Sequence, residues 1–591
     1  MYAAEQSIMK EKKKMSGPTL PISQEIHAEK YRGPNEDFRE AANRIANALK
    51  DDEAHFRAFR EIYLDMRFAP GGRVQSAMGA TKAVTPYNCF VSGTIEDSFV
   101  DGHGSIMERA KEAAATMRQG GGIGYDFSTL RPRGDLIRKL NSASSGPLSF
   151  MTIFDSVCKC VASSGHRRGA QMGVLRIDHP DIEAFIHAKN DQHTLTGFNL
   201  SIAVTDEFMD CLATGRPFAL KFGGKTYSEV DPEAIWDMVM RATWDWAEPG
   251  VLFIDTINRM NNLWYCEQIA ATNPCGEQPL PPYGACLLGS FNLTRYLEPI
   301  TALMAVGQPR WEFNWDRLKA DIPPVVRAMD NVVDRAKYPL YEQEKEAKSK
   351  RRMGLGVMGL ANALEALGFP YGTPAFLAFE DRVMAFINRH CYLESAKLAK
   401  EKGTFGLYNE EPFLKGAFIS TLDDEVRDAI RKNGLRNSHL TSVAPTGTIS
   451  LTCDNISSGI EPVFSHSYDR TIQTFHGPKV ETVEDYGARV FGVKGRIANE
   501  VTPQEHVAVL TTAAKHVDSA VSKTCNVGGD TDWEAFKQLY IDAYNGGAKG
   551  CTTFRTDGKR AGILVAKQEP EADEPAEACY IDPATGRREC S

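Results

Sequence analysis

The feature that most narrows the fold is a recurring junction in which a short β-branched run passes straight into a helix-start signal. QMGVLRID (171–178) leads into HPDIEAFIHAK (179–189), and NLSIAV (199–204) leads into TDEFMDCLA (205–213). In each pair a strand-length apolar run is followed by Pro, Asp or Thr where a helix begins, and then by apolar residues at helical spacing. Strands that alternate with capped helices bury both faces of a sheet, so the expected class is α/β.

The two ends of the chain read differently from this body. Phe38, Ile45, Leu49, Phe56, Phe59, Ile62, Tyr63 and Met66 recur at roughly helical spacing, which predicts a small helical region over residues 1–70. Its polar start, to about residue 35, is expected to be loosely ordered. The α/β body is assigned to 71–558, and 559–591 is expected to be a flexible tail, because VAKQEPEADEPAEACYIDPATGRRECS has little that could form a core. That tail carries Cys579 and Cys590, with ten residues between them, where packing gives cysteine no use.

Composition sets limits on partners. A net charge of −9 and a pI near 5.9 argue against a surface that neutralises a nucleic-acid polymer, but leave room for a small phosphorylated ligand. The start of the chain has no apolar core of signal-peptide length, and nowhere do about 18 apolar residues run together, so a cytoplasmic protein without membrane association is expected. Thirteen cysteines, an odd number spread through the chain, do not read as a disulfide scaffold. Cys158 and Cys160 sit among Phe150, Ile153, Phe154, Val157 and Val161 at helical spacing, which favours packing, and we assign no metal site.

ATNPCGEQPLPPYGACLLGSFNL (271–293) is the segment most suggestive of chemistry. In extended backbone Asn273, Cys275 and Glu277 face one side, so an amide, a thiol and a carboxylate could converge on one substrate. Pro274 and Gly276 favour a tight, non-helical tip. A Pro/Gly turn around a buried cysteine would account for the same letters, and the segment alone leaves both readings open.

This segment, with Cys286 eleven residues after Cys275, resembles the finger loop of ribonucleotide reductase catalytic subunits. YNCFVSGTIEDSF, QGGGIGYDFSTLRP, NSASSGPLSFMTIFD, RRGAQMGVLRIDHPDIEAFI, PGVLFIDTINRMN, RRMGLGVMGLANAL, SVAPTGTISLTCDNISSGIEP and KGCTTFRTDG extend the resemblance in the family's order over about residues 66 to 560. It implies a ten-stranded α/β barrel of two parallel five-stranded halves running antiparallel, threaded by the finger loop. Cys275 would carry the thiyl radical that takes the 3′-hydrogen, Glu277 would accept the 3′-hydroxyl proton, and Asn273 would hold that hydroxyl. Cys89 and Cys286 would supply the reducing equivalents and end as a disulfide, to be re-reduced by the tail pair Cys579 and Cys590, which thioredoxin or a glutaredoxin-like protein would in turn reduce. As a flexible coil, about thirty residues from Lys559 span roughly 30 Å.

The resemblance also implies the remaining sites. Pro445, Thr446, Gly447, Thr448, Ile449 and Ser450, with Asn88, would bind the substrate; a hydroxyl-rich turn opening a helix is a natural phosphate cradle. Gly354, Gly356 and Gly359 satisfy GxGxxG but follow the charged run KEAKSKRR, so we read them as close helix packing and not as a dinucleotide turn. A specificity site for deoxynucleotide or ATP effectors would involve Asp97, the loop 141–147 with Ser144 and Gly146, and the loop 164–172 with Arg167, Arg168 and Gln171. With 88 residues before Cys89, a separate ATP cone for on/off control is expected to be absent, and family habit implies a homodimer. Relatives that receive their radical from a second subunit carry paired tyrosines where this chain has Thr552, Thr553 and Phe554. Phenylalanine has no phenolic hydrogen to pass on, so the expected radical source is adenosylcobalamin. The alternatives are the two-subunit type and a nucleotide-binding regulator that lost catalysis.

Overall fold

The computed structural model describes residues 17–82, 84–138, 140–163, 167–168, 170–190, 193–300, 311–474, 477–555 and 558–559, with the short strands 564–566, 579–581 and 588–590. Ten strands form one large sheet: β1 (Phe68–Pro70), β2 (Cys89–Val91), β3 (Gly122–Asp126), β4 (Gln171–Arg176), β5 (Phe198–Val204), β6 (Gly250–Phe253), β7 (Ala285–Asn292), β8 (Met353–Met358), β9 (Thr524–Val527) and β10 (Gly550–Arg555). β2, β3, β4, β5 and β6 are mutually parallel. β7 lies antiparallel to β2 and parallel to β8, while β10 lies antiparallel to β6 and parallel to β9. Past β8, isolated parallel bridges join Leu355 to Thr441 and Val443 to Val521. The α/β class is therefore observed as a large mixed sheet.

Local chemistry explains the junctions. β4, β5 and β7 are buried almost throughout, as parallel strands covered on both faces must be. Thr205 ends β5 and caps the next helix, its hydroxyl accepting from the Phe208 amide (3.2 Å). Asp231 with Pro232 opens helix 232–246 in the same way.

At the N-terminal side, α1 (Pro21–Tyr31), α2 (Phe38–Leu49) and α3 (Glu53–Leu64) precede the sheet. α2 begins with a reciprocal Asp37/Glu40 capping box. The expected loose start does not hold from residue 17 onward, because three apolar residues of α1 find partners distant in sequence. Ile22 and Ile26 pack with Leu451, Tyr468 and Val483, Tyr31 joins the main core, and Ser23 donates to the Leu451 carbonyl (2.6 Å).

The reading of the GxGxxG glycines also needs correction. Gly354 and Gly356 lie on strand β8, not in a helix. A Cβ on Gly356 would meet the Ser442 carbonyl at 2.2 Å, and one on Gly354 the Gln278 amide at 2.4 Å, so these glycines let neighbouring backbone close on β8. Among the described residues no helix is long and apolar enough to cross a membrane. Most of the residues read as a tail lie outside the described residues. The exceptions are Leu564–Ala566, which pairs with strand 467–474, and an antiparallel ribbon that sets Cys579 opposite Cys590.

Candidate active site

Residues 271–280 fold back on themselves as a narrow finger, with Ala271 and Thr272 paired to Leu280 and Pro279. At its tip the Gly276 amide donates to the Asn273 carbonyl (3.1 Å), with Gly276 at φ +81°, a conformation glycine adopts without strain. The finger presses on β3: a Cβ on Gly124 would fall 1.8 Å from the Thr272 carbonyl. Asn199, at the start of β5, donates its side-chain amide to the Pro274 carbonyl (2.8 Å) and ties the tip to the sheet.

The tip separates one accessible sulfur from buried groups. Cys275 is exposed, whereas Asn273 and Glu277 are 3% and 2% exposed. The Asn273 amide nitrogen donates to the Cys89 sulfur (3.2 Å), its oxygen accepts from the Gln278 amide (2.9 Å), and the Cys89 thiol points to the Glu277 carboxylate at 3.8 Å. Cys286 sits directly opposite Cys89 across the antiparallel β2/β7 pair. Such partners have Cα atoms about 4.5–5.5 Å apart, within the roughly 4.4–6.8 Å that a disulfide spans. The five groups expected at the centre therefore converge.

Electrostatics keep both buried thiols protonated. Burial pushes Cys89 well up, and the Glu277 carboxylate, Cys286 and Cys275 push the same way. Burial also raises Cys286, with the Arg352 guanidinium as the main opposing influence. Arg352 is itself 2% exposed and paired with Glu267. A neutral thiol beside a carboxylate can donate a proton as well as a hydrogen atom.

Residues 441–443 run beside β8 and lead into Pro445 and Thr446, which sits at φ +54° as the cap of the short helix Gly447–Thr452. The Thr446 hydroxyl accepts from the Gly459 amide (2.7 Å), and Ser450 bonds to the Ser458 hydroxyl (2.9 Å). Thr448 and Ile449 lie in the first turn of that helix. Asn88 precedes β2, its carbonyl accepting from Gly122 (2.9 Å).

Asp97 holds Arg131 through its carboxylate (2.6 Å). Ser144 is buried and accepts from Gly146, which caps helix 147–160 at φ +77°. Arg167 and Arg168 pair in backbone with Ser163 and Ala162, but their side chains and residues 164–166 and 169 lie outside the described residues. Gln171 is 1% exposed, its amide engaged by the Tyr125 hydroxyl and the Phe154 carbonyl.

A family model described as ribonucleotide reductase, barrel domain, matches residues 87–486 and 494–554. The chain belongs to the ribonucleotide reductase family. Two proteins named vitamin B12-dependent ribonucleoside-diphosphate reductase are similar to it. The one from Mycobacterium tuberculosis is 34% identical over 543 residues, covering 87% of this chain and 73% of its own. That from Thermoplasma acidophilum is 33% identical over 544 residues, covering 87% and 66%. A vitamin B12-dependent ribonucleotide reductase of Streptomyces coelicolor is 26% identical over 627 residues, covering 92% and 63%.

Sequence reasoning missed three contributors to this reductase site: Asn199, Arg352 and Ser442, whose hydroxyl donates to the Glu277 carbonyl (2.9 Å). Only Arg352 left a trace, as a charged residue at the doorstep of the apolar run MGLGVM.

Proposed function

We propose that this chain is the catalytic subunit of an adenosylcobalamin-dependent reductase that converts ribonucleoside diphosphates to 2′-deoxyribonucleotides. The observation that carries the reading is the convergence of Asn273, Cys89 and Glu277 behind an exposed Cys275, with Cys286 in register opposite Cys89. The curated relatives named above support the substrate and the cofactor. A non-catalytic regulator would have no use for the complete thiol set.

Cys275 is exposed, as a thiol that must meet a bulky cofactor has to be. Where β5, β6 and β10 run side by side, a Cβ at Gly250 would meet the Ser201 and Thr552 hydroxyls at 3.0 and 3.3 Å and the Leu200 carbonyl at 3.9 Å. Thr552 is exposed and Asn199 links β5 to the finger tip. Thr553 is buried against the Tyr540 hydroxyl (2.9 Å), and the position holds no tyrosine pair that would favour a second radical-generating subunit. When bound, adenosylcobalamin supplies the one-electron chemistry that removes hydrogen from the Cys275 thiol.

The protein's own groups account for the rest. Cys275 takes the 3′-hydrogen while Glu277 accepts the 3′-hydroxyl proton and Asn273 orients that hydroxyl. Cys89 protonates the departing 2′-hydroxyl, which leaves as water. Cys89 and Cys286 together give up two electrons and their remaining hydrogen to C2′, where a C–H bond replaces the broken C–O bond, and become a disulfide, while Cys275 returns hydrogen to C3′. Asn88 and Pro445–Ser450 hold the substrate, its phosphates at the N-terminus of helix Gly447–Thr452.

The strand path supports the ten-stranded barrel. The bridges at Leu355–Thr441 and Val443–Val521 continue the sheet from β8 toward β9. Re-reduction through Cys579 and Cys590 is supported by their cross-strand register. Thioredoxin or a glutaredoxin-like dithiol protein would reduce that pair in a reducing cytoplasm. Asp97, Ser144, Gly146, Arg167, Arg168 and Gln171 are proposed to build the specificity site for deoxynucleotide or ATP effectors. Exposed Phe99, Val100 and Met107 beside it support a homodimer contact. The test is an anaerobic assay with a ribonucleoside diphosphate, a dithiol and an effector, with and without adenosylcobalamin. Product should form only with the cofactor; equal product without it contradicts the cofactor assignment.

A further inference from the structure

Behind the finger lies a polar knot that the reaction itself does not use. Lys549, in the turn before β10, is 7% exposed. Its ammonium donates to three consecutive carbonyls, those of Val517 (3.3 Å), Asp518 (2.6 Å) and Ser519. The Asp518 carboxylate, 2% exposed, accepts from the Leu440 amide (2.7 Å), the Thr441 amide (3.0 Å) and the Tyr392 hydroxyl (2.8 Å). The Asp518 amide in turn donates to the Thr441 hydroxyl (3.0 Å).

Two functional segments start from this knot. Leu440 and Thr441 open the extended run that reaches Pro445 and the phosphate helix four residues later. On the other side, the Ala520 amide donates to the Glu277 carbonyl (3.0 Å), which also accepts from the Ser442 hydroxyl (2.9 Å), and Ser442 reaches the Ala520 carbonyl as well (3.3 Å). The Ser442 hydroxyl and the 517–520 backbone thus meet at the main-chain carbonyl of Glu277, the residue whose carboxylate we assign as base. Three carbonyls turned toward one point in a dry interior need a cation or several donors. Lys549 is the group that supplies them.

From this geometry we infer that Lys549 and Asp518 are positioning residues that fix the separation between the Glu277 carboxylate and the Pro445–Ser450 phosphate cradle. A substrate anchored by its phosphates presents its 3′-hydroxyl to the base only if that separation is held, and misplacement by about 1 Å can cost on the order of a hundredfold in rate. Burial pulls the Lys549 amine down to about 8, with Asp518 opposing. Burial raises Asp518, against the pull of the Leu440 and Thr441 amides. A cation is kept here at a cost that simple packing does not need.

The inference rests on the reductase reading, and the test separates the two. Full-length Lys549→Met and Ser442→Ala are compared with wild type in the adenosylcobalamin assay, alongside thermal melting. A displaced base lowers kcat while phosphate anchoring holds KM, so Lys549→Met should lose about tenfold or more in kcat, with KM within about threefold. Ser442→Ala, which removes one of two donors to the Glu277 carbonyl, should lose about threefold to fivefold in kcat. A folded Lys549→Met with wild-type kcat overturns the inference, whatever its melting temperature. If that variant does not fold, Ser442→Ala decides, and wild-type kcat there overturns it equally. An inactive wild type would count against the reductase reading instead.

Discussion

The large sheet holds two buried cysteine pairs on neighbouring strands, and they share little beyond sulfur. Cys89 and Cys286 face one another across antiparallel β2 and β7, within reach of Asn273, Glu277 and Arg352. Cys525 and Cys551 lie on parallel β9 and β10, their thiols in contact with each other and close to the Tyr540 ring system. Both pairs are almost fully enclosed, Cys525 at 0% and Cys551 at 4% exposure. The difference teaches that adjacency of thiols does not make a redox site. Cys89 has a carboxylate, an amide and an exposed third sulfur on the same short loop, whereas the described neighbours of Cys551 add a hydrogen bond to Cys525 and burial, both of which push its thiol up. Both pairs are buried, but only Cys89 and Cys286 lie against a loop that carries an exposed sulfur.

That contrast breaks most visibly at the loop tip. Cys275→Ser should abolish deoxynucleotide formation, a loss of more than about a thousandfold, while the protein still folds and binds nucleotide. Measurable turnover in this variant would place the radical elsewhere. Next in size, Cys579→Ser should cut steady-state turnover with a protein reductant severely yet leave a single turnover by pre-reduced enzyme intact, measured by quench-flow. Equal loss of both would remove the tail from the cycle.

The core pair should respond in stability instead. Cys525→Ala is expected to keep kcat within about twofold and to lower unfolding stability by about 1–2 kcal/mol, read by denaturant melting. A large loss of activity there would erase the distinction between the two pairs. The effect that is smallest near neutral pH concerns the packing around His27 under helix Gly447–Thr452. His27, bonded to the Tyr63 hydroxyl (3.0 Å), is held down at about 3, mainly by burial and then by Arg32. Its unfolded value of 6.5 is higher, so the unfolded chain binds the proton first. The stability contributed by neutral His27 is full above pH 6.5 and drains away as pH falls toward 3, by up to about 1.4 kcal/mol per pH unit. His27→Gln should flatten that part of the pH–stability curve.

Much of this architecture was legible in the letters. The strand-to-helix junctions at 171–189 and 199–213 gave the α/β class because caps and apolar period are local properties. Asn273 and Glu277 do meet at Cys89, but through a turn at 273–276 and not the extended backbone their alternation suggests, and that turn leaves Cys275 exposed. What did not show were pairings made by distant backbone. No local pattern announces that Cys89 and Cys286 share a register, that Asn199 holds the tip, or that Ser442 and Ala520 meet at the Glu277 carbonyl. Gly354 and Gly356 mislead for the same reason, since their need for space comes from Gln278 and Ser442 and not from their own neighbours in sequence. α1 reads as loose because its stretch of sequence is polar, and Ile22 and Ile26 gain a purpose only when Leu451, Tyr468 and Val483 are brought to them.

The central claim is that Cys89 and Cys286 are the thiols that pay for each product. Pre-reduced enzyme, given substrate, effector and adenosylcobalamin without external reductant, should form one disulfide per deoxynucleotide. Peptide mapping after alkylation in denaturant should locate it between Cys89 and Cys286 or, after exchange, between Cys579 and Cys590, with Cys525 and Cys551 still alkylated. A disulfide found at Cys525–Cys551, or product formed with Cys89 and Cys286 both still free and the tail unoxidised, would contradict the account.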